Sequence, residues 1–166
     1  MDNQGNMHNI NNKINGKSFF RKYSEPGGIE LEIAQRIKSS PHPNIVKIYK
    51  IGPDYFDMEK VDISINLDDL RNSRTELKSA KNHLHSLKVV YLDWKRDNMG
   101  IGTDGKVKIF DFNMSGTFSK SHSCFITNNG WNRKAISGYR LRNAVNIGKC
   151  KTPIESDNWI FAKLFS

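Results

Sequence analysis

Four polar side chains within one stretch of the chain are of the types that phosphoryl transfer uses: Asp93, Lys95, Asn98 and Asp111. A carboxylate such as Asp93 can accept the proton of an attacking hydroxyl, and the nearby Lys95 can neutralise charge on the phosphoryl group. Asn98 and Asp111 bring oxygen ligands of the kind that hold Mg²⁺ against the phosphates of ATP. The residue types and their order therefore predict a site for ATP and Mg²⁺.

Short strands and turns are predicted on either side of these residues. Val89 and Val90 lead into the loop that contains Asp93, and Asp104-Gly105 is typical of the turn of a hairpin over 101–110. The spacing of apolar residues predicts strands over 18–23, 44–51 and 55–61, and helices over 29–37 and 67–87. A long loop is expected over 114–151 and a helix over 156–165. Strands first and helices later favour an α+β fold.

Length and composition indicate one domain over residues 1–166 with an apolar core. Hydrophobic residues make up 37% of the chain, and no run of eighteen apolar residues predicts a membrane span. The first fifteen residues are rich in Asn, which predicts a poorly ordered start, and Asn15-Gly16 predicts a hairpin turn. Two cysteines favour a reducing compartment, so we expect the cytoplasm, or that of a host cell if this Asn- and Lys-rich chain is viral.

The net charge of +9 is concentrated in one segment. No acidic residue occurs between Asp111 and Glu155, whereas seven basic residues do: Lys120, Arg133, Lys134, Arg140, Arg142, Lys149 and Lys151. Such a segment can be a solvated loop, a surface for an acidic protein substrate, or a contact for nucleic acid. A role in nucleic-acid binding depends on charge alone and ranks last.

Two motifs carry a resemblance to the protein kinase family. The run Tyr91-Leu-Asp-Trp-Lys-Arg-Asp-Asn98 resembles the family's H-R-D-L-K-x-x-N, and Asp111-Phe-Asn113 resembles D-F-G at the expected distance. The resemblance implies a two-lobed α+β fold, with a reduced small lobe over about 1–60 and a partial large lobe over 61–166. It implies that Lys95 marks the serine/threonine type. A complete glycine-rich loop and the late helices of the large lobe are not found, so we expect a truncated member.

The resemblance also implies residues that bind the nucleotide. Lys22, at the end of a predicted strand, would contact the α- and β-phosphates of ATP, and Glu30 would be its ion-pair partner across an unusually short connection. Met58 would lie behind the adenine, while the Glu59 carbonyl and the Val61 backbone would bind its edge by hydrogen bonds.

Two departures from the family pattern and two matches to its later motifs predict structure and regulation. Leu92 replaces the arginine that reads a phosphorylated activation loop, so control by that route is not expected. Asn113 replaces glycine, and Asn is the residue type that best tolerates a positive φ in its place. Thr152-Pro-Ile-Glu155 resembles the Ala-Pro-Glu that ends the activation segment, and Asp157 is expected to brace the backbone of the Asp93 loop.

Three functions are compatible with these residues. The favoured one is a serine/threonine protein kinase that uses ATP and Mg²⁺ on a protein substrate. The second is a pseudokinase that binds another kinase or a regulator, which the truncation, Leu92 and Asn113 favour. The third is a small-molecule phosphotransferase of the aminoglycoside type, against which Lys95 and Asp157 argue.

Overall fold

The computed structural model describes residues 7–14, 17–118, 126–127 and 153–166, and it has the expected mixed α+β composition. Its largest sheet has four antiparallel strands, in the order β1-β2-β4-β3. These strands are β1 (Met7–Ile14), β2 (Lys17–Tyr23), β3 (Ile48–Ile51) and β4 (Tyr55–Glu59).

The strand β1 was not predicted, because the Asn-rich start of the chain lacks the residue types that favour strands. It forms nevertheless, since it pairs with β2 from Met7 opposite Lys22 to Ile14 opposite Lys17, with a register shift between Ile10 and Lys13. This is the hairpin that Asn15-Gly16 predicted. Cross-strand pairing thus overrides local propensity here.

The helix α1 (Ile29–Ser39) covers one side of the sheet. Ile33, Ala34 and Ile37 lie on the same face of the helix because of their spacing, and all three are almost completely buried. It ends before Pro41, because proline disfavours helical backbone in the residue that precedes it. The helix also carries Glu30 into the interior, which is the residue that matters for the site.

The predicted helix over 67–87 is two helices, α2 (Leu67–Asn72) and α3 (Arg74–Ser86). The chain turns at Ser73, whose N–H is shared between the carbonyls of Asp69 and Leu70. Apolar periodicity alone cannot reveal this break, because it continues from one helix into the next. The buried face of α3 contains the predicted Leu77, Ala80 and Leu84.

Short strands carry the loops of the site. They are β5 (Val89–Val90), β6 (Met99–Ile101), β7 (Val107–Ile109), β8 (Gly116–Thr117) and β9 (Ile126–Thr127). The β6–β7 hairpin turns at Gly105, where a φ of 78° requires glycine. A second sheet has the order β5-β8-β9, which includes two strands within the segment that was expected to be loop.

The predicted strand over 44–51 starts only at Ile48, because the residues before it bind the β6–β7 hairpin instead. Asn44 Nδ2 donates to the Val107 carbonyl at 2.9 Å, and the Val46 N–H donates to the Ile109 carbonyl at 3.0 Å. These bonds join the four-stranded sheet to the part of the chain that carries Asp93 and Asp111. The two regions share one buried apolar core.

The last helix, α4 (Pro153–Leu164), begins three residues before the predicted start. Proline is well suited to a first helical turn, because the N–H groups there have no acceptor within the helix and no hydrogen bond is lost. The helix buries Ile160 and Phe161 in the common core, together with Asp157. Among the described residues, no helix combines the length and apolar character that a membrane crossing needs.

Candidate active site

Lys22, Glu30 and Asp111 form an ion-paired cluster in the interior. The Lys22 ammonium lies 2.9 Å from Glu30 Oε1 and 3.2 Å from Asp111 Oδ1. The three side chains come from β2, α1 and the segment after β7, and only 2–3% of each is exposed. The short connection between β2 and α1 is thus long enough to bring Lys22 and Glu30 into contact.

The cluster keeps Lys22 charged. Burial alone would lower the pKa of Lys22, but the carboxylates of Glu30 and Asp111 outweigh this effect and raise it. The two carboxylates therefore hold the Lys22 ammonium in its charged form and fix its position.

Asp111 has a left-handed backbone conformation, with a φ of 64°. Its Oδ1 accepts the N–H of Asn113 at 3.1 Å, in the local pattern that lets aspartate tolerate this conformation. The positive φ was expected at Asn113 and is found two residues earlier. Asn113 therefore does not need the freedom of glycine, and its side chain is exposed.

The loop over residues 91–98, called the catalytic loop for the role predicted from the sequence, leaves Asp93 partly exposed. Asn98 Nδ2 donates to the Asp93 carboxylate at 2.7 Å and to the Asp93 carbonyl at 3.0 Å. The Lys95 ammonium lies 3.9 Å from Asp93 Oδ2, and the two side chains are 41% and 23% exposed. Asn98 itself is fully buried, so it serves as a rigid support for a carboxylate that remains open to water.

Burial raises the pKa of Asp93, while the charge of Lys95 and the hydrogen bond from Asn98 partly oppose the rise. Asp111 adds a smaller contribution in the same direction as burial. A carboxylate with a raised pKa is a stronger base than an ordinary aspartate. This property suits the acceptance of a proton from a hydroxyl.

Backbone contacts connect the catalytic loop to the ion-paired cluster. The Phe110 N–H donates to the Asn98 carbonyl at 3.1 Å, which places the residue before Asp111 beside the loop. The Tyr91 hydroxyl donates to the Phe110 carbonyl, and the Tyr91 ring meets Phe112 edge-on at 5.6 Å. All four residues predicted for phosphoryl transfer therefore lie in one connected region.

Asp157 braces the catalytic loop, as predicted. It accepts the N–H groups of Tyr91 at 3.2 Å and Leu92 at 2.8 Å. Two further contacts were not predicted: Trp94 Nε1 donates to Asp157 Oδ1 at 2.7 Å, and His85 Nε2 lies 2.6 Å from Oδ2. The sequence did offer a sign of the Trp94 contact: a large indole occurs in a polar loop, at a position where the family motif has leucine.

The residues predicted to bind adenine, Met58, Glu59 and Val61, lie at the end of β4 and just beyond it, and all three are buried. The Glu59 carboxylate accepts from the Lys108 ammonium at 3.1 Å and from the Lys47 N–H at 2.8 Å. These contacts fix the side chain of Glu59. The predicted contacts of the Glu59 carbonyl and the Val61 backbone with adenine stay predictions.

Gly100 allows the segment after β4 to approach β6 closely. A Cβ at this position would lie 2.6 Å from the Asp62 carbonyl oxygen and 2.7 Å from Val61 Cγ2. Two backbone hydrogen bonds hold the segments together: the Asp62 N–H donates to the Ile101 carbonyl, and the Ile101 N–H donates to the Asp62 carbonyl. Any side chain larger than hydrogen here would displace the predicted adenine-binding segment.

Some predicted features lie outside the described residues. They include Thr152 and the seven basic residues between Lys120 and Lys151. Glu155, from the same predicted motif as Thr152, is described and lies exposed in the first turn of α4.

Comparison with curated proteins finds several kinases. The chain is 38% identical over 64 residues to a putative ribosomal protein S6 kinase alpha-1 of Caenorhabditis elegans, covering 39% of the chain and 8% of that protein. It is 27% identical over 120 residues to Aurora kinase B of Mus musculus, covering 60% and 34%. A putative sperm motility kinase W of Mus musculus is 33% identical over 100 residues, covering 55% and 20%. The chain thus matches between 8% and 34% of the length of these relatives. No family model matches the chain.

Proposed function

Because the chain belongs to the protein kinase family, we propose that it transfers the γ-phosphoryl group of ATP to a serine or threonine hydroxyl of a protein. The observation that carries the proposal is the connection of Lys22, Asp111, Asn98 and Asp93 in one region. It consists of the 3.2 Å Lys22–Asp111 contact, the 3.1 Å bond from Phe110 to Asn98 and the 2.7 Å bond from Asn98 to Asp93.

Each residue has a role that follows from its surroundings. Asp93, solvent-accessible and with a raised pKa, would take the proton of the substrate hydroxyl as it attacks. Lys95, beside it and 41% exposed, would balance charge on the phosphoryl group. Lys22 would contact the α- and β-phosphates, with Glu30 holding it in place.

Asn98 and Asp111 fit the requirements of Mg²⁺. Both offer hard oxygen ligands, and the backbone bond from Phe110 to Asn98 keeps their segments adjacent. One or two protein ligands suffice for a Mg²⁺ ion that also binds substrate phosphates. When bound, Mg²⁺ would neutralise charge on the phosphates.

Met58, Glu59 and Val61 would bind adenine, with the two lobes divided at about residue 60. The proposed substrate is a protein, and the basic residues between Lys120 and Lys151 favour acidic sequences. We place the activity in the cytoplasm, because two cysteines in 166 residues suit a reducing compartment.

Calorimetry and phosphate transfer together test this function. ATP binding is measured with and without Mg²⁺, and transfer of labelled phosphate is then measured to an acidic protein, a basic protein and an aminoglycoside. We expect Mg²⁺-dependent binding and label on serine or threonine. Label on the aminoglycoside alone would move the chain to the small-molecule phosphotransferases, and absence of ATP binding would contradict the proposal.

The alternative is a pseudokinase that acts by binding another kinase or a regulator. Leu92 and Asn113 favour it, because they depart from the family's motifs, and Ile63, which is 45% exposed, is a side chain at which partner binding can be tested. ATP binding without any transfer, together with capture of a kinase that Ile63→Ser abolishes, would support this alternative over an enzyme.

A further inference from the structure

Trp94 has an unusual setting for its sequence. It follows Asp93 and precedes Lys95, Arg96 and Asp97, all of which are exposed or half-exposed, yet the indole is only 1% exposed. It thus places a large ring and one N–H donor in the interior, from the middle of a polar loop.

The contacts of Trp94 extend in two directions. Its Nε1 donates to Asp157 Oδ1 at 2.7 Å, and its ring meets Phe161 edge-on at 4.9 Å, so two contacts reach α4. In the other direction it meets the ring of Tyr91 at 4.8 Å, and the Tyr91 hydroxyl donates to the carbonyl before Asp111. The indole therefore lies between α4 and the segment that carries Asp111.

The hydrogen bond of Trp94 also supports a strained backbone. Leu92 has a φ of 69°, a conformation that leucine rarely adopts. Its N–H donates to Asp157 Oδ1, the same oxygen that accepts from Trp94. Two donors on one buried carboxylate oxygen fix that carboxylate, and the fixed carboxylate holds Leu92 in place.

We propose that Trp94 is a positioning residue for phosphoryl transfer, which holds the Asp93 carboxylate in register with Asp111 by fixing the catalytic loop to α4. The inference rests on the proposed function and adds to it a residue at which the family motif has leucine. A leucine would fill part of the same volume. It has no donor for Asp157 and no ring edge for Tyr91 and Phe161.

Trp94→Phe separates positioning from the filling of space, because it keeps an aromatic ring and removes the N–H. Trp159→Phe is the matched control: this tryptophan is half-buried on α4, and its ring lies 5.2 Å from the Lys163 ammonium. Three measurements are compared with the wild type. They are hydrogen exchange of the Tyr91 and Leu92 amides by NMR, the stoichiometry and Kd of Mg²⁺-ATP by calorimetry, and kcat per ATP-binding site.

In Trp94→Phe we expect the Leu92 amide to exchange about tenfold faster, because local opening no longer has to break the indole hydrogen bond. We expect kcat per ATP-binding site to fall about tenfold, with KM for ATP within about twofold of the wild type. Trp159→Phe should change neither quantity.

Two outcomes would overturn the inference. One is unchanged exchange at Tyr91 and Leu92 with unchanged kcat, which would make Trp94 a space-filling residue. The other is a fall in rate that matches a fall in the number of ATP-binding sites, which indicates general destabilisation. If the wild type transfers no phosphate, the proposed function fails, and the exchange rates still decide whether Trp94 fixes the loop.

Discussion

The ion-paired cluster and the catalytic loop lie side by side but are stabilised in different ways. Lys22, Glu30 and Asp111 are 2–3% exposed and hold one another by charge. Asp93 and Lys95 are 23% and 41% exposed, and the loop that carries them is held from below by hydrogen bonds to Asn98 and Asp157. In the buried cluster only the partner charges compensate each charge for its lost hydration. In the loop, water still solvates the charges of Asp93 and Lys95.

This difference predicts where a substitution acts. Removing the Lys22 ammonium from the ion-paired cluster should lower the stability of the whole fold, because it leaves two buried carboxylates without compensation. Removing the charge of Asp93 or Lys95 should alter the chemistry and leave the fold intact.

The largest effect is expected at Asp93. Asp93→Asn keeps the shape of the side chain and removes the base, so transfer should fall by about 10²–10⁴-fold. The affinity for ATP and the melting temperature should stay near those of the wild type, because Asp93 is assigned to the substrate hydroxyl. Rates are measured with labelled ATP, and Asp97→Asn on the same loop is the control, with an expected change below about threefold. A wild-type rate would remove the assignment, and lost ATP binding would indicate a metal or folding role.

The next effect, on stability, is expected at Lys22. Lys22→Met leaves the carboxylates of Glu30 and Asp111 facing each other in the interior, which should lower the free energy of unfolding by about 3–5 kcal/mol at pH 7. Part of the loss should return as the pH is lowered, since protonation of one carboxylate relieves the repulsion. Urea unfolding measures the change, with the exposed Lys50→Met of the same sheet as control. Equal stability of the two variants would show that the cluster does not depend on its cation.

A smaller effect, on binding, is expected at Asp111. Asp111→Asn keeps an acceptor for Lys22 and for the Asn113 N–H but removes the charge that attracts Mg²⁺. Calorimetry should show Mg²⁺-dependent ATP binding weakened about tenfold or more, and Mg²⁺-free binding nearly unchanged. An equal loss under both conditions would count against metal ligation by Asp111.

The pH dependence of the rate tests the electrostatics of the loop. Burial raises the pKa of Asp93 above the ordinary 3.8, so the rate should fall on the acid side at a higher pH than an ordinary aspartate would give. The charge of Lys95 opposes this rise, and Lys95→Ala should therefore move the acid limb to higher pH still. Profiles of kcat against pH measure the shift, with the exposed Arg96→Ala as control. A limb that moves to lower pH would contradict the sign of the Lys95 effect.

The two regions also differ in how far the sequence predicts them. The residues of the catalytic loop are close in sequence, and the types and spacing of Asp93, Lys95 and Asn98 identify the loop directly. The Lys22–Glu30 pair could be expected only through resemblance, because charge pairing between distant segments leaves no local pattern. The same reason hid the contact between Trp94 and Asp157, which are 63 residues apart in sequence.

Backbone details were the least predictable part. The strand β1 forms through its pairing with β2 and not through its own composition, and the break at Ser73 interrupts no apolar stripe. The left-handed residue of the turn over Asp111–Asn113 is Asp111 and not Asn113, because the Asp111 side chain satisfies the Asn113 N–H. Such choices depend on which neighbour supplies a hydrogen bond, and this is fixed only once the fold is complete.

The smallest effect is expected from phosphorylation of the segment that follows Asp111, and the reason lies at Leu92. A phosphate activates by pairing with a cation next to the catalytic aspartate, but Leu92 has no charge and no side-chain donor, and it is 6% exposed. Activity should therefore be constitutive or set by a partner. Phosphorylating Ser and Thr residues within 115–152, most of which lie outside the described residues, should change the rate by less than about tenfold.

The test compares phosphatase-treated protein with protein fully phosphorylated in that segment, and includes Leu92→Arg. If charge pairing at this position is the missing element, Leu92→Arg should gain a response to phosphate that the wild type lacks. Basic residues in the same segment offer another route: Arg133, Lys134, Arg140 and Arg142 could bind a phosphate in place of residue 92. Tenfold activation of the wild type, about 1.4 kcal/mol of barrier, would show that such a substitute exists and that the inference from Leu92 is wrong.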